Sequence, residues 1–278
     1  MFVRTFRNTI KNLLRTPTFW LMLAVVVIVV LQNNIEHFAD GTKYGAIDIN
    51  TYNDMMHNIP VPNFMMYAMP LFAIVCTVIT LNRDYGDRFF EIEKASGVGP
   101  FAYLCGRLTA LFAVNGVLLT VMTFGLLYLR VMFAGGVADM TTAQFLADSF
   151  VRLLRVDWVL CVPSLAAYIS ITYAVGTLFK RGVPAMIVSS VYVIFYYMVY
   201  LMFRLKWQDI YQIYFRYLCP VPRALATHVV RVNTELYRMC MDMNGDTMAD
   251  VYLGFACMLG YILLGAAVSY VCIKKRDV

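Results

Sequence analysis

The residue types that can ligate a metal or move a proton are few in this chain of 278 residues, and they fall in no catalytic spacing. The three histidines, His37, His57 and His228, stand far apart. None belongs to a His-Glu-x-x-His or comparable ligand pattern, which a strong metal site requires, so they read as surface histidines. The run Asp242-Met243-Asn244-Gly245-Asp246 carries alternate oxygen ligands in the manner of a calcium loop. Thr247 stands where such a loop needs Gly and Leu253 where it needs a bidentate Glu, so the run reads as a turn. No nucleophile elbow and no phosphate-binding P-loop occurs anywhere. The reading therefore assigns no catalytic residue, no metal ligand and no enzyme activity, and the chain cannot hydrolyse ATP by a Walker mechanism alone.

The seven cysteines show no metal spacing either. Cys76, Cys161, Cys257 and Cys272 lie in apolar stretches, where Cys behaves as a small hydrophobe, and Cys105 lies at the edge of another. Cys219 and Cys240 share a polar loop and are a candidate disulfide pair if that loop faces an oxidising compartment. Spacing alone does not fix whether their Cα atoms come within the ~7 Å that a bridge needs.

The elements that must carry these residues follow from composition. Hydrophobic residues make up 61% of the chain and charged ones 14%, against roughly a quarter charged in an ordinary soluble domain. That composition excludes disorder, a nucleic-acid-binding domain and a cytosolic enzyme, and predicts an integral membrane protein. Six windows carry no Asp, Glu, Lys or Arg: residues 16–35, 63–82, 108–129, 158–179, 183–203 and 251–273. A helix rising ~1.5 Å per residue crosses the hydrocarbon core in about 20 residues and satisfies its own backbone hydrogen bonds there. The fold class is therefore all-α, a single polytopic domain with six transmembrane helices. The first window is the weakest, because its fully apolar part ends at Leu31, before Gln32, Asn33 and Asn34.

Charge placement gives sidedness. Of the 23 Lys and Arg, 13 lie in the 48 residues of the two termini, the second loop and the fourth loop, including Arg4, Arg7, Lys11, Arg15, Lys180, Arg181, Lys274, Lys275 and Arg276. The other 10 are spread over 102 residues of the remaining loops. The positive-inside rule then puts both termini in the cytoplasm, in a multi-pass protein of the cell membrane. A basic stretch followed by an apolar one also opens a signal peptide, but no small-residue cleavage site follows Leu31, so the first helix is expected to be retained. Before it, Phe2, Phe6, Ile10, Leu13 and Leu14 recur at helical spacing, with Arg4, Arg7, Lys11 and Arg15 on another face. This predicts an amphipathic helix lying in the inner headgroup layer and bent into the membrane at Pro17; a basic tail that only fixes topology is the plainer reading.

No internal repeat suggests a secondary transporter, and no Gly-rich filter or ring-forming acid suggests a channel. Intramembrane ionisable residues usually mark ion or proton pathways, and all six windows lack them. The informative stretch is the loop from Arg83 to Pro100 between the second and third windows. Arg83/Asp87 and Asp84/Arg88 are spaced for i,i+4 ion pairs on a short helix, and Phe89, Phe90 and Ile92 supply apolar surface. Gly97-Val98-Gly99-Pro100 ends it. Arg107 marks the membrane edge, beside Gly106 and Ala110, a small pair that permits close helix contact. A charge-balanced helix with exposed aromatics suits the docking of a soluble protein.

These features together, with a long Pro-broken loop before the last window, resemble an ABC-2 type transporter permease. The resemblance implies an exporter subunit that pairs with a second permease chain, identical or homologous, and with separate cytosolic ATPase subunits, which would bind the ATP and Mg. It implies that the segment Asp84, Tyr85, Asp87, Arg88, Phe89, Phe90, Glu91, Glu93 and Lys94 couples to the ATPase. Phe89 and Phe90 would bury against that partner; of Glu91 and Glu93, on different helix faces, one would contact it and the other pair with Lys94 or a nearby basic group. The pattern departs from the family in carrying Gly99 before Pro100 and Arg at position 107. The alternative function is a non-transport membrane anchor or regulator that docks a signalling partner through the same loop.

Three further elements complete the expectation. Residues 207–218 and 223–241 have helical periods with Pro220 and Pro222 between them, a helical hairpin between the fifth and sixth windows that either dips into the outer leaflet or lies on its surface. Residues 141–155 form a further outer interfacial helix. Tyr192, Tyr196 and Tyr200 make one stripe on the fifth helix, expected to line the translocation path with Ala166, Ser170 and Ala174 of the fourth helix packed behind it.

Overall fold

The computed structural model describes residues 2–44, 68–133, 140–152, 158, 161–191, 193 and 247–275, and every element among them is helical. In chain order these are α1 (Phe2–Leu14), α2 (Pro17–Tyr44), α3 (Met69–Gly86), α4 (Phe89–Ala95), α5 (Pro100–Phe133), α6 (Thr142–Arg152), α7 (Val162–Phe179), α8 (Gly182–Val191) and α9 (Thr247–Lys274). Three stretches, Pro100–Gly125, Val162–Phe179 and Ala256–Lys274, are long and apolar enough to cross a membrane, or four if the bent pair α1–α2 counts as one. Helices of this kind are those of a membrane protein. The predicted hairpin, Cys219, Cys240, Tyr192, Tyr196, Tyr200, His57, His228 and the Asp242–Asp246 run lie outside the described residues.

Punctuation along the chain sets the boundaries. Pro17 opens α2 after a break at Arg15 and Thr16, and the axes of Phe2–Leu14 and Pro17–Val29 meet at 69°, the bend expected there. Helix α2 then continues nine residues past the window that ended at Ile35, through the polar Gln32-Asn33-Asn34. Pro100 opens α5, whose 34 residues, about 51 Å at ~1.5 Å per residue, run well beyond the apolar window at both ends. At α6 the Thr141 hydroxyl accepts from the Gln144 N–H (3.4 Å), and the Gln144 side chain accepts from the Thr141 N–H (2.9 Å), a reciprocal cap that begins the helix expected over 141–155.

Helix α7 is the centre of the bundle. Of its window 67% is buried, against 39% for α5 and 22% for α9, and it packs against α3, α5 and α9. Close approach is bought by glycine: Gly176 of α7 meets the Leu81 side chain of α3, and a Cβ on Gly265 of α9 would stand 2.6 Å from the Ser170 carbonyl oxygen of α7. Thr172 and Ser189 join α7 to α8 through a 2.9 Å hydroxyl contact. Ser170 lies against α9, where Gly265 admits close backbone approach; the tyrosine stripe it is expected to back lies outside the described residues. Phe19 of α2 packs edge-on against Phe72 of α3, with ring centroids 5.6 Å apart, closing the other flank.

Candidate functional site

The polar residues of the described bundle converge where α1, α3, α4, α5 and α7 meet. Asp84, in the last turn of α3, and Arg107, in the second turn of α5, form an ion pair in which Arg107 is 1% exposed. Arg107 makes two further hydrogen bonds, Nη1 donating to the Thr9 hydroxyl of α1 at 2.8 Å and Nη2 to the Tyr103 hydroxyl at 3.3 Å, while its buried Nε has no partner among the described residues. The second oxygen of Asp84 accepts from the Tyr173 hydroxyl of α7 at 2.9 Å. The guanidinium carbon lies 4.8 Å from the Phe89 ring centroid and 5.0 Å from that of Tyr103, within cation–π range of both. A buried charge needs a counter-charge and hydrogen-bonding groups around it, and here four helices, α1, α3, α5 and α7, supply them to the pair, with the Phe89 ring of α4 against the guanidinium.

A second cluster adjoins the first. Glu93 of α4, 1% exposed, accepts from the Thr5 hydroxyl with one oxygen and from the Asn8 amide with the other at 3.0 Å. Arg4 reaches Ser96, just past the end of α4, at 3.4 Å. Thr5 and Thr9 are one turn apart on α1 and both fully buried, so a single helix edge is tied to Glu93 of α4 and to Arg107 of α5. Gly106 makes this seat: a Cβ there would lie 2.9 Å from the Thr5 Cβ and 3.2 Å from the Phe2 carbonyl oxygen. Gly106, one of the two small residues at this edge, thus admits close helix contact, and the helix it admits is α1.

The loop expected to couple to an ATPase is divided between two elements. Asp84 and Tyr85 belong to α3, Asp87 and Arg88 form the break, and Phe89 to Lys94 belong to α4. Arg88 takes a left-handed backbone (φ 51°), so positions 84 and 88 do not share a helix face and the expected i,i+4 pair is replaced by Asp84–Arg107. Likewise the Arg83 guanidinium donates to Thr16 at 3.4 Å. Gly97, at φ 81°, ends the loop as the Gly-Val-Gly-Pro run predicted.

The aromatics differ from expectation too. Phe90 is buried against Tyr103 within the chain, centroids 5.0 Å apart, and Phe89 is half-buried beneath Arg107. Glu91 and Glu93 do take different faces, but the partners of Glu93 are Thr5 and Asn8, neither of them basic. What α4 leaves outward is Glu91, Ile92 and Lys94, with Ile92 55% exposed.

Sequence reasoning passed over this joint because Asp84 and Arg107 stand just outside the apolar windows that end at 82 and begin at 108. Opposite charges flanking consecutive windows on the same side were the available signal. Among the described residues no group of His, Cys, Asp and Glu gathers to hold a metal ion. The arrangement has no nucleophile and no acid–base pair open to a ligand; what it can do is hold α4 rigidly against three longer helices. No family model matches the chain, and no curated protein is similar to it.

Proposed function

We propose that this chain is the membrane-spanning permease subunit of an ATP-driven ABC exporter. In this reading it crosses the cell membrane six times with both termini cytoplasmic and a helical hairpin on the outer side, and it forms the translocation path with a second permease chain, Tyr192, Tyr196 and Tyr200 lining it. Cytosolic ATPase subunits bind the ATP and Mg, and their closure is passed through α4. The chain itself is not an enzyme.

The observation that carries the reading is the two-sided character of α4. Its inner side is fixed by Glu93 to Thr5 and Asn8 and by Phe90 to Tyr103, while its outer side presents Ile92 with Glu91 and Lys94. A connector that transmits force has to be stiff toward the membrane helices and apolar toward its partner, since work passes only through an element whose position both sites bias.

The test is whether a neighbouring open reading frame encodes a soluble Walker-motif ATPase, and co-expression of that product with the chain, followed by purification in a mild detergent. The reading expects the ATPase to co-purify with the permease and its hydrolysis rate to change on assembly. Absence of any ATPase in the complex, or stable capture of a partner that hydrolyses no nucleotide, favours the anchoring function instead.

A further inference from the structure

We propose that the cationic edge of α1, formed by Arg7, Lys11 and Arg15, binds the headgroups of anionic phospholipids, and that α4 is steadied by that contact through Glu93.

Helix α1 has three sides. Thr5, Thr9 and Leu13 are buried and face the bundle. Val3 (69% exposed) and Leu14 form an exposed apolar side, with Phe6 and Ile10 half-exposed beside them. Arg7 and Lys11, continued by Arg15 just past the helix end, where its N–H still bonds the Lys11 carbonyl at 3.2 Å, are four residues apart and all exposed and form the third side. An apolar strip beside a cationic strip is the pattern of a helix lying in a lipid interface. The 69° bend onto α2 fits that placement if α2 enters the bilayer. Trp20, 52% exposed just past the bend, donates its indole N–H to the Leu14 carbonyl at 2.7 Å, an aromatic anchor of the kind enriched at headgroup level.

The choice of anionic lipid comes from charge complementarity. The two acids nearest α1 are turned inward: Asp84 is taken by Arg107, and Glu93 by Thr5 and Asn8. Helix α1 carries no carboxylate of its own, and among the described residues none of Arg7, Lys11 and Arg15 has a carboxylate partner. Three uncompensated cations on one edge gain nothing from a zwitterionic surface and about fivefold each in affinity from an anionic one. Since Thr5 and Asn8 connect the same helix to Glu93, fixing α1 on the surface also fixes α4.

The proposal requires only a bilayer, so its failure would leave the permease reading untouched. The full chain is placed in nanodiscs of phosphatidylcholine alone or with added phosphatidylglycerol, and amide hydrogen exchange is followed in residues 2–14 and 89–95. Exchange in both segments is expected to slow with phosphatidylglycerol. Arg7→Gln, Lys11→Gln and Arg15→Gln together should abolish the difference without lowering the melting temperature in neutral discs. Glu93→Ala should keep the slowing in residues 2–14 and lose it in 89–95. Equal exchange of the wild type in the two discs, or a lipid response that survives the triple substitution, overturns the lipid contact. A response in 89–95 that survives Glu93→Ala overturns the relay, and soluble glycerol phosphate reproducing the slowing in neutral discs overturns recognition of a lipid surface.

Discussion

Arg107 and Thr9 stand 98 positions apart in the chain and 2.8 Å apart in space. That bond joins the first helix to the guanidinium that also neutralises Asp84, so α1, α3 and α5 share one buried polar centre, with Tyr173 of α7 attached to its other side. Removing one member of a buried pair leaves an unpaired charge, which costs about 3–5 kcal/mol, whereas replacing both by apolar groups costs much less. Asp84→Leu and Arg107→Leu should each lower the thermal unfolding midpoint in detergent strongly, and the double substitution should recover part of the loss. Tyr173→Phe removes one hydrogen bond to a charged group and should cost about 1.5–3 kcal/mol. Additive losses in the double variant would show that the two side chains are not coupled.

The glycines of α9 provide an internal comparison. A Cβ on Gly265 would meet the Ser170 backbone at 2.6 Å, and backbone cannot swing aside as a side chain can. Gly260, five residues earlier on the same helix, has nothing within 4 Å of that position. Gly265→Ala should therefore destabilise by about 1–3 kcal/mol through overpacking. Gly260→Ala should be neutral, or stabilise by up to about 1 kcal/mol from helix propensity. Equal unfolding midpoints for the two variants would mean that α7 and α9 are not packed this closely.

Where the sequence was legible, one local signal sufficed. Pro17 marks the bend into α2, the Gly97-Val98-Gly99-Pro100 run marks the end of α4, and a long uncharged window marks an apolar helix; each is a property of neighbouring residues. The joint was not legible because its members are scattered from Thr5 to Tyr173. A charge at position 84 or 107 looks like an ordinary membrane-edge residue until the partner helix is known. Thr5 and Thr9 carry no hydropathy signal, so the apolar period of α1 pointed to Phe2, Phe6 and Ile10, whereas the face turned to the bundle is the threonine edge with Leu13. Phe89 and Phe90 misled for a related reason: an aromatic in a charged loop is equally consistent with a partner's surface and with the chain's own, and only packing distinguishes them.

Sidedness rests on charge density alone and is open to a direct check. Single cysteines at Lys94 and Arg276 should be protected from a membrane-impermeant thiol reagent in intact cells, and cysteines at Asp48 and Asn244 should be modified, in a background without native reactive thiols. Modification of Lys94→Cys from outside would reverse the topology and remove α4 from the reach of any cytosolic partner.

The two apolar residues of α4 should separate folding from partner binding. Phe90 points inward onto Tyr103, and truncating a buried Phe leaves a cavity, so Phe90→Ala should cost about 3–5 kcal/mol and lower the yield of folded protein whether or not a partner is present. Ile92 is 55% exposed, so Ile92→Asp should leave the stability of the isolated chain within about 0.5 kcal/mol of wild type. Placed in an interface, the same aspartate would bury an unpaired charge and should release the ATPase subunit or uncouple its hydrolysis from transport. Glu91→Ala, at the rim of that face, should have the milder effect typical of an exposed charge. Co-purification and stability are measured on the same samples, so the two roles cannot be confused. If Ile92→Asp retains the ATPase and transports at the normal rate, the outward face of α4 is not where the two subunits meet.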